Sequence, residues 1–146
     1  MAAATARTPW HLWLVGVVAL LFNAIGVFDF MMTMTQGAHY MASAGMTAAQ
    51  IAHYQRMPAW MTAVWAIGVW GAFLGSLLLL LRRKLALPFF AVSLAAFLLS
   101  LVYTYVLTNG GAIMGGGMAI MSAVIAVLLL VFTGYTGAMA KRGVLR

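Results

Sequence analysis

Four long apolar runs dominate the sequence and most limit what the chain can fold into. They cover approximately residues 11–32, 59–81, 85–107 and 114–140. A helix that crosses the hydrocarbon core of a bilayer needs roughly 20 predominantly apolar residues, and each run meets that length. We therefore predict an all-α membrane protein, a four-transmembrane-helix bundle that forms a single domain over residues 1–146.

The composition supports lipid as the main solvent of the chain. Of its 146 residues, 66% are hydrophobic and 6% are charged, and the mean hydropathy is +1.06. A soluble domain of this size would expose too much apolar surface. The absence of cysteine excludes disulfides and thiolate metal sites. With one acidic residue and no nucleophile triad or phosphate loop, we predict that the chain is not an enzyme.

The basic residues predict the orientation in the membrane. Seven of the eight flank the apolar runs on one side, and Arg56 lies on the other; the seven are Arg7, Arg82, Arg83, Lys84, Lys141, Arg142 and Arg146. Because loops rich in Lys and Arg stay in the cytoplasm, both termini are predicted to be cytoplasmic, in the inner membrane of a bacterium. The net charge of +7 therefore reflects topology, and we expect no nucleic-acid partner.

The loop at 33–58 is predicted to face outward and to contain a short amphipathic helix. Thr47 and Gln50 have the spacing of a capping box, and Pro58 closes the segment that they open. The predicted helix covers residues 48–57. Its apolar residues could rest on the membrane surface or cap the bundle.

Several short motifs resemble those of one family. They are the segments at 10–13 (WHLW), 23–30 (NAIGVFDF), 58–60 (PAW), 69–71 (VWG) and 141–146 (KRGVLR). They are similar to segments of a family of small, uncharacterised four-helix proteins of the bacterial inner membrane, some of which are labelled sugar transporter. The resemblance spans nearly the whole chain and implies the fold and the location, without an activity. Many of these relatives have tyrosine where this chain has Phe30.

Asp29 is the only acidic residue in the chain, and the predicted span places it about one turn inside the outer end. An ionisable group at membrane depth is a candidate functional residue. The favoured interpretation is a structural ion pair with Arg56, the only outer base, because pairing neutralises both charges. The alternative is a proton or cation site used in transport.

Small and polar residues recur at helical spacing in the first two spans. They are Gly16, Asn23 and Gly26 in the first span, and Gly68, Gly71 and Gly75 in the second. Such stripes let helices approach closely in a membrane and form interhelical hydrogen bonds. We predict that they pack within one bundle; the alternatives are a binding groove or an oligomer interface.

The outer loop contains soft metal ligands, among them His39, Met41, His53 and Met57. Copper(I) prefers such ligands, but their spacing is irregular and methionine commonly fills gaps between apolar side chains. We therefore expect no cofactor and no metal, with a copper site at these four residues as the alternative.

The predicted function is that of a non-catalytic accessory or assembly subunit of a larger membrane complex. The chain is small, has few polar groups within its spans and is rich in aromatic residues that could face lipid or a partner. Its expected partners are membrane lipids and either another membrane protein or further copies of itself. Two alternatives are a small oligomeric transporter that uses Asp29 and an outer-side binder of metal or ligand.

Overall fold

All of the regular structure in the computed structural model is helical, and the structure describes residues 7–108 and 110–145. The helices are α1 (Trp10–Gln36), α2 (Ala38–Ser43), α3 (Ala48–Gln55), α4 (Ala59–Leu80), α5 (Ala86–Val102, continued by a π-helical turn at Tyr103–Leu107) and α6 (Gly110–Lys141). In the described ranges, four helices are long and apolar enough to cross a membrane: α1, α4, α5 with its π-helical turn, and α6 from Gly115. The prediction of four such helices is confirmed.

Helix α1 is longer than predicted and ends at Gln36 rather than at 32. The hydroxyls of Thr33 and Thr35 donate to the carbonyls of Asp29 and Met31, each at 2.8 Å, so these polar residues are satisfied within the helix. The helix stops at Gly37, whose φ of +56° and ψ of −129° suit glycine and few other residues. Along the helix, Asp29 therefore lies about 10 Å from the end of α1, farther from that end than the single turn that the sequence predicted.

The connection between α1 and α4 contains two short helices. The capping box of α3 forms: Gln50 N donates to the Thr47 hydroxyl at 3.2 Å, and Thr47 N donates to the Gln50 side chain at 3.0 Å. The helix ends at Gln55, close to the predicted 57. Helix α2 was not predicted, because its six residues carry no start signal apart from Gly37.

The apolar span of α6, Gly115–Lys141, agrees with the predicted 114–140, but the helix itself begins at Gly110 and is not continuous. The Thr108 hydroxyl accepts from Gly110 N at 3.2 Å, which satisfies an amide that would otherwise lack a partner at the helix start. At Gly115 the backbone leaves helical geometry, with φ of +79° and ψ of −179°. This conformation is accessible essentially only to glycine.

The four long helices alternate in direction and define two ends of the bundle. We call the end with residues 37–58 the loop end. The opposite end carries the described basic residues other than Arg56, and we call it the arginine end; there, Arg82 donates to the Thr8 hydroxyl at 2.8 Å. Helix α4 packs against α1 and α5, and α5 packs against α6.

The main apolar core lies towards the arginine end. It joins residues from the carboxyl-terminal tail and all four long helices: Leu12, Ala19, Leu79, Ala86, Phe90, Phe132, Met139, Val144 and Leu145. Val144 and Leu145 reach it because Gly143 adopts a φ of +74° after α6 and Val144 N donates back to Met139 O at 3.1 Å. The tail after Lys141 is thus folded onto the bundle.

The middle of α6 is less buried than its ends. No side chain that the structure describes between residues 111 and 128 is buried. Helix α1 meets α6 through a hydrogen bond between His11 and Tyr135 and through the rings of Phe22 and Phe132. The first contact lies at the arginine end and the second near the middle of the bundle. Towards the loop end, the start of α6 contacts α3 instead.

Candidate functional site

The only carboxylate of the chain is held by a tyrosine at the loop end. Gly37 reverses the chain after α1 and brings Tyr40 of α2 back beside Asp29. The Tyr40 hydroxyl donates to Asp29 Oδ1 at 2.8 Å. This hydrogen bond raises the pKa of Tyr40 above 10.0, and partial burial and then the negative charge of Asp29 contribute smaller increases. The hydroxyl is therefore protonated at neutral pH.

Arg56 lies at the carboxyl end of α3, where its side chain is exposed. In the part of the chain that the structure describes, Asp29 and Arg56 form no ion pair, and the carboxylate contact goes to Tyr40. Sequence reasoning missed Tyr40 because it weighed only charges as partners. The sequence feature that could have indicated this contact is a tyrosine three residues after Gly37, a glycine that can end a helix.

Aromatic side chains form the wall of the loop end. Phe30 meets Trp65 edge to face with ring centroids 4.9 Å apart, and Tyr54 lies 5.8 Å from the same indole. Trp60 meets Tyr103 edge to face at 5.7 Å. These contacts tie α1, α3, α4 and the π-helical turn of α5 together, and such pairs each contribute about 0.5–1.5 kcal/mol beyond simple burial.

His53 is buried between α3 and the start of α6. Its ring lies 6.2 Å from that of Tyr103, and a Cβ added to Gly110 would lie 3.1 Å from its Cε1 atom. Burial, and to a smaller extent the positive charge of Arg56, lower the pKa of His53 below 6.5. The imidazole is therefore neutral at physiological pH and acts as an apolar and aromatic contact.

A cavity of about 140 Å³ opens beneath the two short helices. Three methionine side chains from different parts of the chain contribute to its wall. The lining residues are Thr33, Met34, Gly37, Met41, Tyr54, Gln55, Met57, Thr62 and Trp65. Burial, followed by the charge of Asp29, raises the pKa of Tyr54 above 10.0, so this lining phenol is neutral as well.

The four residues considered for copper do not come together. Met41 and Met57 line the cavity, whereas His39 is exposed on α2 and His53 faces Tyr103. Across residues 7–108 and 110–145, no three side chains of the types His, Cys, Asp and Glu are grouped to hold a metal ion. Met34, one of the methionines that precede the outer loop, also lines the cavity, as does Trp65.

The six residues predicted to pack helices all lie against a neighbouring helix of the same chain. Asn23 donates to the Ser76 hydroxyl at 2.9 Å, which links α1 to α4. Each glycine faces an atom of a neighbouring helix within 4 Å of where a Cβ would stand: Gly16 faces Leu80, Gly26 faces Val69, Gly68 faces Ala96, Gly71 faces Ser93 and Gly75 faces Phe90. At Gly16 a methyl group would collide with Leu80, since the separation would be 2.5 Å.

These observations define a class of protein. Four apolar helices of spanning length, with polar groups sparse and paired inside the bundle, are the features of a multi-pass helical membrane protein. No family model, curated protein or solved structure matches the chain.

Proposed function

We propose that the chain is a non-catalytic accessory or assembly subunit of a larger complex in the bacterial inner membrane. The observation that carries the proposal is the open middle of α6, where no described side chain between 111 and 128 is buried. Helices within a membrane gain stability by packing, and an open segment in the middle of a span is available to a helix of another chain.

The residues on this open segment suit a close helix partner. Gly115, Ala119, Ser122 and Ala126 recur at intervals of three or four residues along α6 and are exposed or half-buried. Small residues at this spacing are typical of helix–helix contacts in membranes, because they let backbones approach. We call the surface formed by these four residues the small-residue face. Its use in binding a partner is part of the proposal.

The polar groups of the bundle weigh against a substrate pathway through its centre. Ser93 donates to Gly68 O at 2.5 Å, and Ser76 donates to Ala72 O at 2.8 Å while accepting from Asn23. Among the described residues, no buried side-chain nitrogen or oxygen lacks a partner. The buried polar groups thus stabilise helix packing, as a subunit without a transport path requires.

We further propose that the arginine end is cytoplasmic, and that the chain belongs to the family whose motifs it resembles. The hydrogen bond between Arg82 and Thr8 supports placing the amino terminus and the middle turn on one side. A reporter that is active only in the cytoplasm should be active after Arg146, and an export-dependent reporter should be active near Ala44. The reverse pattern would contradict the orientation.

Site-specific photo-crosslinking in native membranes tests the partner directly. A photoreactive phenylalanine analogue placed at Ala119, on the small-residue face, should give a discrete adduct with a different protein. The same analogue at Ala91, an exposed alanine of α5, serves as the control and should give no protein adduct. Lipid adducts alone at both positions would refute the proposal, and an adduct with a second copy of the chain would favour the transporter alternative.

The second candidate function, a small oligomeric transporter, is favoured by the exposed carboxylate of Asp29 within α1. An acid within a span often marks a proton or cation path. Purified protein in vesicles with a proton gradient tests it: the transporter requires a flux that Asp29→Asn abolishes and Arg56→Gln preserves. We expect no such flux from the accessory subunit.

A further inference from the structure

We infer that the cavity at the loop end binds a soft monovalent metal cation, copper(I) or silver(I), through the thioethers of Met34, Met41 and Met57. The inference goes beyond the proposed function and departs from our sequence-based expectation of no metal. It rests on three sulfur-bearing side chains that the fold, rather than any local motif, brings to one cavity.

The three methionines come from separate elements. Met34 lies in the last turns of α1, Met41 lies in α2, and Met57 lies between α3 and α4. The turn at Gly37 brings the second beside the first, and the return of the chain through α3 brings the third. Met41 is 4% exposed and is held within the fold, whereas Met34 is 47% exposed and must turn inward to bind an ion.

The ligand chemistry selects the metal. A thioether is a neutral, soft donor that suits copper(I) and its redox-stable analogue silver(I), whereas magnesium and calcium need oxygen ligands. Methionine side chains are flexible, so three methionines that line a cavity of about 140 Å³ can bring their sulfurs to one ion by rotation about their single bonds. The volume is below the roughly 300 Å³ at which sites for organic ligands begin.

The surroundings of the cavity favour a cation. Burial and then the negative charge of Asp29 raise the pKa of the lining residue Tyr54, and Tyr40, next to Met41 in the chain, donates to the Asp29 carboxylate. The only acid of the chain therefore lies beside the cavity. The rings of Tyr54 and Trp65 add aromatic faces, which attract cations.

One charge opposes binding. Arg56 lies in the chain between the lining residues Gln55 and Met57, but its side chain is exposed rather than directed into a closed site. Its repulsion is therefore screened by solvent, while the thioether bonds form inside the cavity. Replacing it with glutamine should strengthen metal binding modestly.

The test is a silver(I) titration of the full chain purified in detergent and followed by calorimetry, with copper(I) competition against a chromophoric chelator as a second probe. We expect saturable binding of one silver ion per chain. Changing Met34, Met41 and Met57 together to leucine should weaken binding about tenfold or more. Leucine conserves the volume of methionine, and the melting temperature of the variant verifies that it folds.

A matched triple variant supplies the control. Met31, Met121 and Met139 lie outside the cavity wall, and changing them to leucine should leave silver affinity unchanged. Because thioethers need no deprotonation, affinity should also be equal at pH 7.5 and at pH 5.5, unlike that of a histidine site.

Three results would overturn the inference. They are the absence of saturable silver binding, full affinity in the cavity triple variant, or an equal loss of affinity in the control triple variant. Tetramethylammonium provides a further comparison, because it needs aromatic faces but no sulfur. Binding of tetramethylammonium that is tighter than that of silver and survives the loss of all three methionines would assign the cavity to an organic cation instead.

Discussion

Asp29 and Tyr40 form a contact between a charged and a neutral side chain across the turn at Gly37. At the scale of single residues, this hydrogen bond gives the sole carboxylate a defined direction at the loop end. It is also the largest cause of the raised pKa of Tyr40. The hydrogen bond to a carboxylate stabilises the neutral phenol, and a second negative charge beside Asp29 would be unfavourable.

A double-mutant cycle measures this coupling. Asp29→Asn and Tyr40→Phe should be coupled by about 1 kcal/mol in the free energy of unfolding, below the roughly 1.5–3 kcal/mol of hydrogen bonds to charged groups, because solvent reaches both side chains. Asp29→Asn and Arg56→Gln should be additive within about 0.5 kcal/mol. Thermal or denaturant unfolding in detergent provides the measurement. If Asp29 were coupled more strongly to Arg56 than to Tyr40, the result would support the ion pair that the sequence predicts.

His53 should make the stability of the protein depend on pH. Its folded pKa lies below the unfolded value of 6.5, so the unfolded chain binds a proton first as the pH falls. Stability is therefore fully present above pH 6.5 and is lost as the pH falls from there towards the folded pKa. Melting temperatures at pH 7.5 and pH 5.5 should show this loss, and His53→Gln should reduce it. His39→Gln is the control, because His39 is exposed, and an equal effect of both changes would contradict the assignment.

At the scale of elements, the sequence predicts a helix correctly where its start depends on residues that are close together in the chain. The capping box of Thr47 and Gln50 involves residues three apart, so the sequence alone predicts α3. The end of α1 depended on threonine hydroxyls that donate to carbonyls four residues back, an arrangement that side-chain polarity alone does not reveal. The break at Gly115 could not be located from the sequence, because a run of three glycines does not show which one leaves helical geometry.

Mutation can distinguish the structural role of Gly115 from that of Gly116. Gly115→Ala should destabilise the protein by about 1–3 kcal/mol, or straighten α6, because an L-residue is strained at φ +79° and ψ −179°. Gly116→Ala should be neutral or slightly stabilising, since open space surrounds the position and its φ is not in the left-handed region. Thermal unfolding of both variants compares them directly. Equal losses would mean that the break does not reside at Gly115.

At the scale of the whole molecule, the core is concentrated towards the arginine end while the loop end carries the cavity and the carboxylate. Hydropathy predicted the four long helices because each must present an apolar surface to lipid. It did not predict the burial of Val144 and Leu145, since residues after a Lys-Arg pair have the pattern of a solvated tail. Their burial depends on the turn at Gly143 and on the space between helix ends, which are properties of the assembled fold. The cavity was missed for the same reason, because its wall draws on four separate segments.

The tail after Lys141 should contribute to the stability of the core. Leu145 is 2% exposed, so Leu145→Ala should leave a cavity and cost about 2–3 kcal/mol in the free energy of unfolding. Leu85→Ala is the matched control, because Leu85 is 60% exposed near the same end, and it should cost far less. Unfolding in detergent compares the two. A cost at Leu85 equal to that at Leu145 would show that the tail does not complete the core.

The length of α1 links the position of the carboxylate to the thickness of the bilayer. Its 27 residues span about 40 Å, whereas the 22 residues of α4 span about 33 Å, close to a typical hydrocarbon core of about 30 Å. Helix α1 must therefore tilt or extend beyond the acyl chains, and both responses change with bilayer thickness. We expect Asp29 and Tyr40 to stand among the lipid headgroups in a thin bilayer and to be drawn towards hydrocarbon in a thick one. Lipid chain length thus becomes a variable that sets how much water reaches the only acid of the protein.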